Sequence, residues 1–185
     1  MKYIKLFENF EDYNPHDLMI MFPDERLELF LEEIEKPISK QNLNLVRDLI
    51  NLGTINTQDA RGRTPLHWAA SRGQVEIARI LIDAKANLNL QSITGDTPLH
   101  WATLYGQEKI VKMLIDAGAD LNVQDEDGYT SLHYIKDIRI SVGVKIARML
   151  IEGGADETIL DNDGFRWDEI CGWDRDYIES DYDYD

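Results

Sequence analysis

Three histidines recur at a spacing of 33 residues and are the first candidates for chemistry in this chain: His67, His100 and His133. Imidazole is the commonest metal ligand in proteins and a frequent general base. However, equivalent residues on successive packed helix layers lie about 10 Å apart, whereas a Zn–N bond is about 2.0–2.1 Å long. Because the three rings cannot share one ion at that distance, we expect structural histidines and neither a metal nor a cofactor.

Cys171 is the only cysteine, so any thiol chemistry would depend on it alone. A nucleophilic thiol requires a neighbouring base and an oxyanion donor, and no sequence signature around Cys171 supplies them. The single cysteine also excludes an internal disulfide, which suits a reducing compartment. We therefore expect an unreactive thiol and a cytoplasmic protein.

Two acidic segments, Asp125–Gly128 (DEDG) and Asp161–Gly164 (DNDG), have part of the spacing of a calcium-binding loop. Each lacks the remaining ligands and the terminal glutamate of such a loop. The sequence also contains no phosphate-binding glycine loop, dinucleotide fingerprint or hydrolase elbow. We therefore predict a protein without enzymatic activity.

The histidines belong to a 33-residue repeat that organises the middle of the chain. The segments TPLHWAA, TPLHWAT and TSLHYIK begin at Thr64, Thr97 and Thr130, and a glycine precedes each by two residues. A second block, of the type RILIDAKANLNLQ, follows each segment. Threonine is a good helix N-cap, and proline is tolerated at the first helical position. Each period therefore predicts a turn followed by two short antiparallel helices.

These motifs resemble the ankyrin repeat, whose signature combines a turn glycine, TPLHxAA and VxxLLxxGAdxN. The resemblance covers roughly residues 37–167 and implies an all-α ankyrin-repeat solenoid of helix-turn-helix units with projecting β-hairpin loops. It also implies that the histidine rings bond to the backbone and tie adjacent hairpins together. Trp68, Trp101 and Tyr134 share one equivalent position, where we expect a stack on the core side.

The predicted organisation follows the repeat along the chain. Its parts are an N-terminal extension (1–23), an N-terminal capping repeat (24–58), ankyrin repeats at 59–91, 92–124 and 125–160, a degenerate C-terminal cap (161–174) and an acidic tail (175–185). The first helix of the N-terminal cap is expected at Asp24–Glu35.

The repeats also depart from one another at particular positions. Three extra residues in the third repeat fall near DIRISVGV and predict an enlarged helix–helix connection. In the same repeat, Ile135 and Lys136 replace a pair of small residues, which should widen the packing or shift its first helix. Lys85 stands where later repeats have glycine, so we expect a non-glycine residue in the left-handed conformation there.

The first ten residues, MKYIKLFENF, leave two interpretations open. Their alternating apolar residues could pack as a strand or a short helix against the end of the solenoid. Alternatively, Leu6–Glu8 resembles the leader that the prohead protease of tailed phages recognises, a capsid-targeting sequence.

Charge is concentrated at the two ends of the chain. The formal net charge is -16, to which residues 1–36 contribute -6, residues 37–167 contribute -3 and residues 168–185 contribute -7. Because a strongly negative chain is repelled by nucleic acids and anionic membranes, neither is expected as a direct partner. No apolar run approaches the roughly 18 residues of a membrane span. We expect a monomer that binds a protein.

Ankyrin repeats bind partner proteins through a concave face formed by the hairpin tips and the first helices, and the resemblance carries this face over to the present sequence. The corresponding residues are basic at one end, mostly acidic at the other, and apolar or aromatic in between. The candidate partner-binding residues are Arg61, Arg63, Arg72, Ile93, Asp96, Leu104, Tyr105, Glu126, Asp127, Tyr129, Ile138, Asp163 and Phe165.

Asn89 and Asn122 fall where eukaryotic asparaginyl hydroxylases modify ankyrin repeats. We expect them to stabilise turns in this chain.

Two hypotheses about function follow. In the first, the chain is a non-enzymatic adaptor or inhibitor that binds one protein through its concave face. In the alternative, it is an acidic decoy whose charged ends mimic nucleic-acid phosphates and occupy a basic nucleic-acid-binding protein. Only the decoy requires the acidic tail.

Overall fold

The computed structural model describes residues 18–36 and 42–172, which fold into helices joined by tight turns. Most of the N-terminal extension, including both interpretations of its first ten residues, lies outside the described residues, as does the acidic tail. Among the helices of the described part, none is long and apolar enough to cross a membrane.

The helices come mainly in pairs, each pair preceded by a turn. In chain order they are α1 (Pro23–Glu35), α2 (Leu43–Leu49), α3 (Pro65–Arg72), α4 (Val75–Asp83), α5 (Pro98–Leu104), α6 (Glu108–Asp116), α7 (Ile140–Glu152) and α8 (Trp167–Cys171). A π-helical turn, Ile50–Thr54, continues α2, and a 3-10 helix, His133–Asp137, precedes α7.

The helices form two layers. The first helices of successive repeats pack on one another, since α1 contacts α3, α3 contacts α5, and α5 contacts the 3-10 helix. The second helices do the same, because α4 contacts α2 and α6, and α6 contacts α7. This is the layered helical stack that the repeat predicted, and the all-α fold is confirmed.

The core runs between the two layers and is built from the periodic apolar residues. In α4, Ile77, Ala78 and Leu81 are fully buried on one face of the helix. In α3, the small residues Ala69 and Ala70 are fully buried and let neighbouring helices approach closely. Each buried leucine contributes about 1.5–3 kcal/mol relative to an exposed one. The apolar stripes therefore fix the stacking of the repeats.

The N-terminal cap begins with α1, one residue before the predicted start at Asp24. Proline at its first position loses no hydrogen bond there, because the first N–H groups of a helix have no partner within it. The buried carboxylate of Glu33 pairs with Lys36 and accepts the backbone N–H of Asn42 at 2.8 Å. The apolar pattern of α1 does not predict this buried charge.

The third repeat differs most from its neighbours. Its first helix is a 3-10 helix, His133–Asp137, in which bulky Ile135 is fully buried at the place of a small residue. Its second helix, α7, has 13 residues, whereas α4 and α6 have 9 each. The extra residues lengthen α7 rather than the connection, so the predicted enlarged loop is wrong. Val144, one helical turn from the start of α7, is buried and holds this extension against the core.

Lys85 adopts the left-handed conformation predicted for it, with a φ of 67°. It is the non-glycine residue with positive φ among the described positions, and glycine occupies the equivalent place at Gly118, with a φ of 84°. The departure from the repeat pattern at Lys85 is therefore a site of backbone strain.

The projecting loops are tight turns. Asp59 donates its N–H to the carbonyl of Arg63 at 2.9 Å, and Ser92 donates to Asp96 at 2.8 Å. In the part of the chain that the structure describes there is one isolated bridge, between Leu160 and Arg166, and no β-strand. The expected β-hairpins are thus reduced to their closing turns.

Candidate protein-binding face

The turns and the exposed sides of the first helices form one surface, which we call the turn face. Its turns are residues 59–63, 92–96, 125–129 and 161–165. Backbone hydrogen bonds join neighbouring turns: Ile93 N–H donates to Arg61 at 2.9 Å and Glu126 N–H donates to Thr94 at 3.1 Å. The turns are therefore fixed relative to one another, as a preorganised binding surface requires.

A carboxylate shapes most of these turns from within. Asp59 Oδ1 accepts the backbone N–H groups of Arg61 at 2.8 Å and Arg63 at 2.9 Å. Burial raises the pKa of Asp59, but the hydrogen bonds from these N–H groups and the guanidinium of Arg63 outweigh it, so the pKa is lowered. Asp125 and Asp161 accept equivalent bonds in their own turns.

A ladder of glutamines links the turns, and it was not recognised from the sequence. The Nε2 atom of Gln91 donates to Gly95 at 2.7 Å within its own turn and to Gln124 at 3.1 Å in the next. Gln58 and Gln124 make the same pair of bonds. The 33-residue spacing of these glutamines is the signal that could have revealed the ladder.

The asparagines also connect repeats. Asn89 Oδ1 accepts the backbone N–H of Asp120 at 2.9 Å, and Asn122 Oδ1 accepts that of Asp156 at 2.7 Å. Both side chains thus bridge consecutive loops, a role that extends the predicted stabilisation of single turns.

His67 and His100 cap the first helices of their repeats and bridge to the next repeat. His133 caps its helix in the same way, but its Nε2 atom makes no such bridge within the described residues. His67 Nδ1 accepts the backbone N–H of Thr64 at 3.0 Å, which leaves Nε2 protonated to donate to the carbonyl of Asp96 at 3.0 Å. His100 repeats this arrangement with Thr97 at 3.0 Å and Tyr129 at 3.1 Å. The structural role predicted for these two residues is confirmed.

Burial governs the protonation of all three histidines. It lowers the pKa of His67 to about 4, and it lowers the pKa of His100 and of His133 as well. Their rings are therefore neutral near pH 7. Among residues 18–36 and 42–172, no group of three or more histidine, cysteine, aspartate or glutamate side chains is arranged to hold a metal ion.

The basic end of the turn face is partly engaged within the chain. The guanidinium of Arg63 lies 4.2 Å from the centre of the Trp68 ring and pairs with Asp59 at 2.8 Å. Arg72 pairs with Glu35 at 3.1 Å, while Arg61 is exposed at the tip of its turn. Arg61 and Arg72 consequently present more cationic surface than Arg63.

An aromatic row runs beside the turns. Trp68 and Trp101 meet edge to face with centroids 6.0 Å apart, and Trp101 meets Tyr105 in the same manner at 6.4 Å. The two tryptophans thus contact each other as the shared position predicts, but edge to face rather than stacked. Both rings pack on the core while remaining half-buried. Their position beside the turns, with Trp68 Nε1 donating to Asp59 at 3.3 Å, was not predicted.

The acidic end lies around the second and third turns. Tyr134, which is half-buried, directs its hydroxyl toward Asp96 at 2.9 Å and toward Asp125 at 2.6 Å. Burial and these two carboxylates raise the pKa of Tyr134 above its usual range. Glu126 and Asp127 are exposed at the neighbouring tip, and Asp163 is exposed on the last turn.

The apolar candidates differ in exposure. Ile93, Tyr105 and Phe165 are 63%, 54% and 53% exposed, which is high for large apolar side chains. Leu104 is half-buried, and Ile138 packs against the core. Ile93, Tyr105 and Phe165 are therefore the apolar anchors available to a partner.

Comparison with known families agrees with the geometry. Residues 38–125 match the family model of ankyrin repeats, in three copies. Residues 38–125 of this chain therefore contain ankyrin repeats. Ankyrin repeats indicate a protein–protein interaction module.

Two proteins of Arabidopsis thaliana are similar over a short stretch. Acyl-CoA-binding domain-containing protein 2 is 43% identical over 44 residues, which are 24% of this chain and 12% of that protein. Acyl-CoA-binding domain-containing protein 1 is 44% identical over 43 residues, which are 23% of this chain and 13% of that protein. The aligned parts thus span about an eighth of either relative.

Proposed function

We propose that the chain is a non-enzymatic adaptor or inhibitor that binds one partner protein through the turn face. The observation that carries this proposal is the exposure of Ile93, Tyr105 and Phe165 on turns or helix ends that hydrogen bonds hold in place. Exposed aromatic side chains on a rigid surface are typical of binding hot spots. Because the backbone is already ordered, little conformational entropy is lost on binding.

Charge supports an oriented complex. Arg61 and Arg72 lie toward one end of the turn face, whereas Asp96, Glu126 and Asp127 lie toward the other. A partner with the opposite polarity is attracted in one orientation and repelled in the reverse one. We infer that this polarity fixes the register of the partner along the stack.

Alanine substitution of Tyr105 together with Phe165 tests the proposal. We expect the double variant to weaken binding of the partner at least about a hundredfold, because each aromatic hot spot accounts for about 2 kcal/mol or more. The partner is captured from the native host on immobilised chain, identified by mass spectrometry, and its affinity for each purified variant is measured by calorimetry.

The control is Arg79→Ala with Lys112→Ala, which removes two exposed side chains from the second helices. We expect this control to bind as the original chain does. Equal binding by the Tyr105→Ala, Phe165→Ala variant would show that the turn face is not the binding surface. If deletion of residues 175–185 abolishes binding instead, and affinity falls steeply with salt, the acidic-decoy function replaces the proposed one.

A further inference from the structure

A cationic side chain of the protein itself, Arg63, shows how the turn face can bind a cation. Arg63 lies between the Trp68 ring, 4.2 Å from its centre, and the carboxylate of Asp59, 2.8 Å away. An aromatic face and a carboxylate together bind guanidinium through cation–π attraction and charge-assisted hydrogen bonds. A second cation, Lys136, lies 4.4 Å from the centre of the Tyr129 ring. Cation binding by aromatic rings thus recurs along this surface.

The next turn reverses the charge at the equivalent position. Asp96 stands 33 residues after Arg63, and Trp101 stands 33 residues after Trp68. Arg63 reaches Trp101 only at 5.8 Å from its centre, compared with 4.2 Å for Trp68. The second turn therefore repeats the aromatic ring of the first and replaces the arginine by a carboxylate.

Two carboxylates meet at this place. Asp96 Oδ1 and Asp125 Oδ2 both approach the hydroxyl of Tyr134, at 2.9 Å and 2.6 Å. A phenol has one hydrogen to donate, so it cannot satisfy both carboxylates at once. Like charges this close repel each other, and a cation placed beside them relieves that repulsion.

We propose that the turn face binds a basic segment of its partner, with an arginine or lysine side chain seated beside Asp96 and Asp125 against the ring of Trp101. The aromatic ring contacts the aliphatic stem and the face of the cationic group, while the carboxylates accept its hydrogen bonds. The exposed Glu126 and Asp127 attract the flanking basic residues of the same segment. This inference rests on the proposed function and specifies the chemistry of the partner.

N-acetylarginine amide is the probe for this site, and its neutral isostere N-acetylcitrulline amide is the ligand control. Titration of the full chain is followed through the indole N–H signal of Trp101 in a nitrogen-15 spectrum. We expect the arginine probe to shift this signal and to bind at least about tenfold more tightly than the citrulline probe. Equal binding of the two probes would overturn the proposal.

Asp96→Asn and Asp125→Asn remove charge while keeping a side-chain oxygen for the hydrogen bonds of each turn. We expect either variant to weaken the arginine probe about tenfold, and thermal unfolding verifies that both remain folded. The matched control is Asp83→Asn, which removes one exposed charge at the end of α4, within the layer of second helices. If Asp83→Asn lowers the affinity for the arginine probe as much as Asp96→Asn does, the probe is attracted only by the net charge of the protein. That result would show that the proposed seat is absent.

The same variants separate this inference from the proposed function. A partner that is lost with Tyr105→Ala, Phe165→Ala but retained at unchanged affinity with Asp96→Asn uses the turn face without a cation at this seat. That result contradicts the inference and leaves the proposed function standing.

Discussion

Gly95→Ala is expected to destabilise the protein by about 3 kcal/mol, whereas Gly118→Ala is expected to lower its stability by only about 1 kcal/mol. Both glycines have positive φ, 79° and 84°. A β-carbon on Gly95 would lie 2.8 Å from the α-carbon of Asp125 and 2.9 Å from the backbone nitrogen of Glu126. At Gly118 nothing lies within 4 Å of the added atom.

Comparison of the two variants distinguishes backbone strain at a glycine with positive φ from steric contact between neighbouring repeats. Each glycine donates its N–H within its own loop, Gly95 to Ser92 and Gly118 to Ile115, and alanine keeps both bonds. Urea unfolding followed by circular dichroism measures the two losses of stability. Equal losses would mean that the close approach of the second and third turns does not contribute to stability.

His100→Ala is expected to lower stability by about 3 kcal/mol. The ring is buried, and its removal leaves a cavity together with the unpaired N–H of Thr97 and the unpaired carbonyl of Tyr129. Cavity formation and the loss of partners for buried polar groups each lower stability by about 1–3 kcal/mol. Urea unfolding measures the difference in the free energy of unfolding.

Two further variants measure how much each hydrogen bond of His100 contributes to this loss of stability. His100→Asn keeps an acceptor near the position of Nδ1 for Thr97, and His100→Gln keeps a donor near the position of Nε2 for Tyr129. We expect each to recover part of the lost stability. A loss below about 1 kcal/mol for His100→Ala would contradict the bridging role of the histidine.

The helical stack could be predicted from the sequence because its determinants are periodic. The Thr–Pro–x–His motif specifies an N-cap, a first turn and a bridging ring within four consecutive residues, so His67 and His100 were interpreted correctly. The glutamine ladder has the same period, and Gln91 could have been recognised from the sequence as well. The role of a residue that recurs at the repeat spacing can therefore be predicted from the sequence alone.

Side-chain contacts on the turn face could not be predicted in this way. The seating of Arg63 on Trp68, and the approach of Asp96 and Asp125 to Tyr134, depend on distances between side chains that no spacing specifies. The lengthened α7 was missed because the extra residues were assigned to a loop, although helix formation satisfies their backbone groups.

Hydroxyl-radical footprinting of the free chain and of the complex tests most directly whether the partner covers the turn face. Oxidation is quantified by mass spectrometry at Tyr105 and Phe165 on the turn face and at Met113 and Met149 on the second helices. We expect the partner to protect Tyr105 and Phe165 while the two methionines react as in the free chain. Protection of Met113 and Met149, with Tyr105 and Phe165 unchanged, would contradict this expectation.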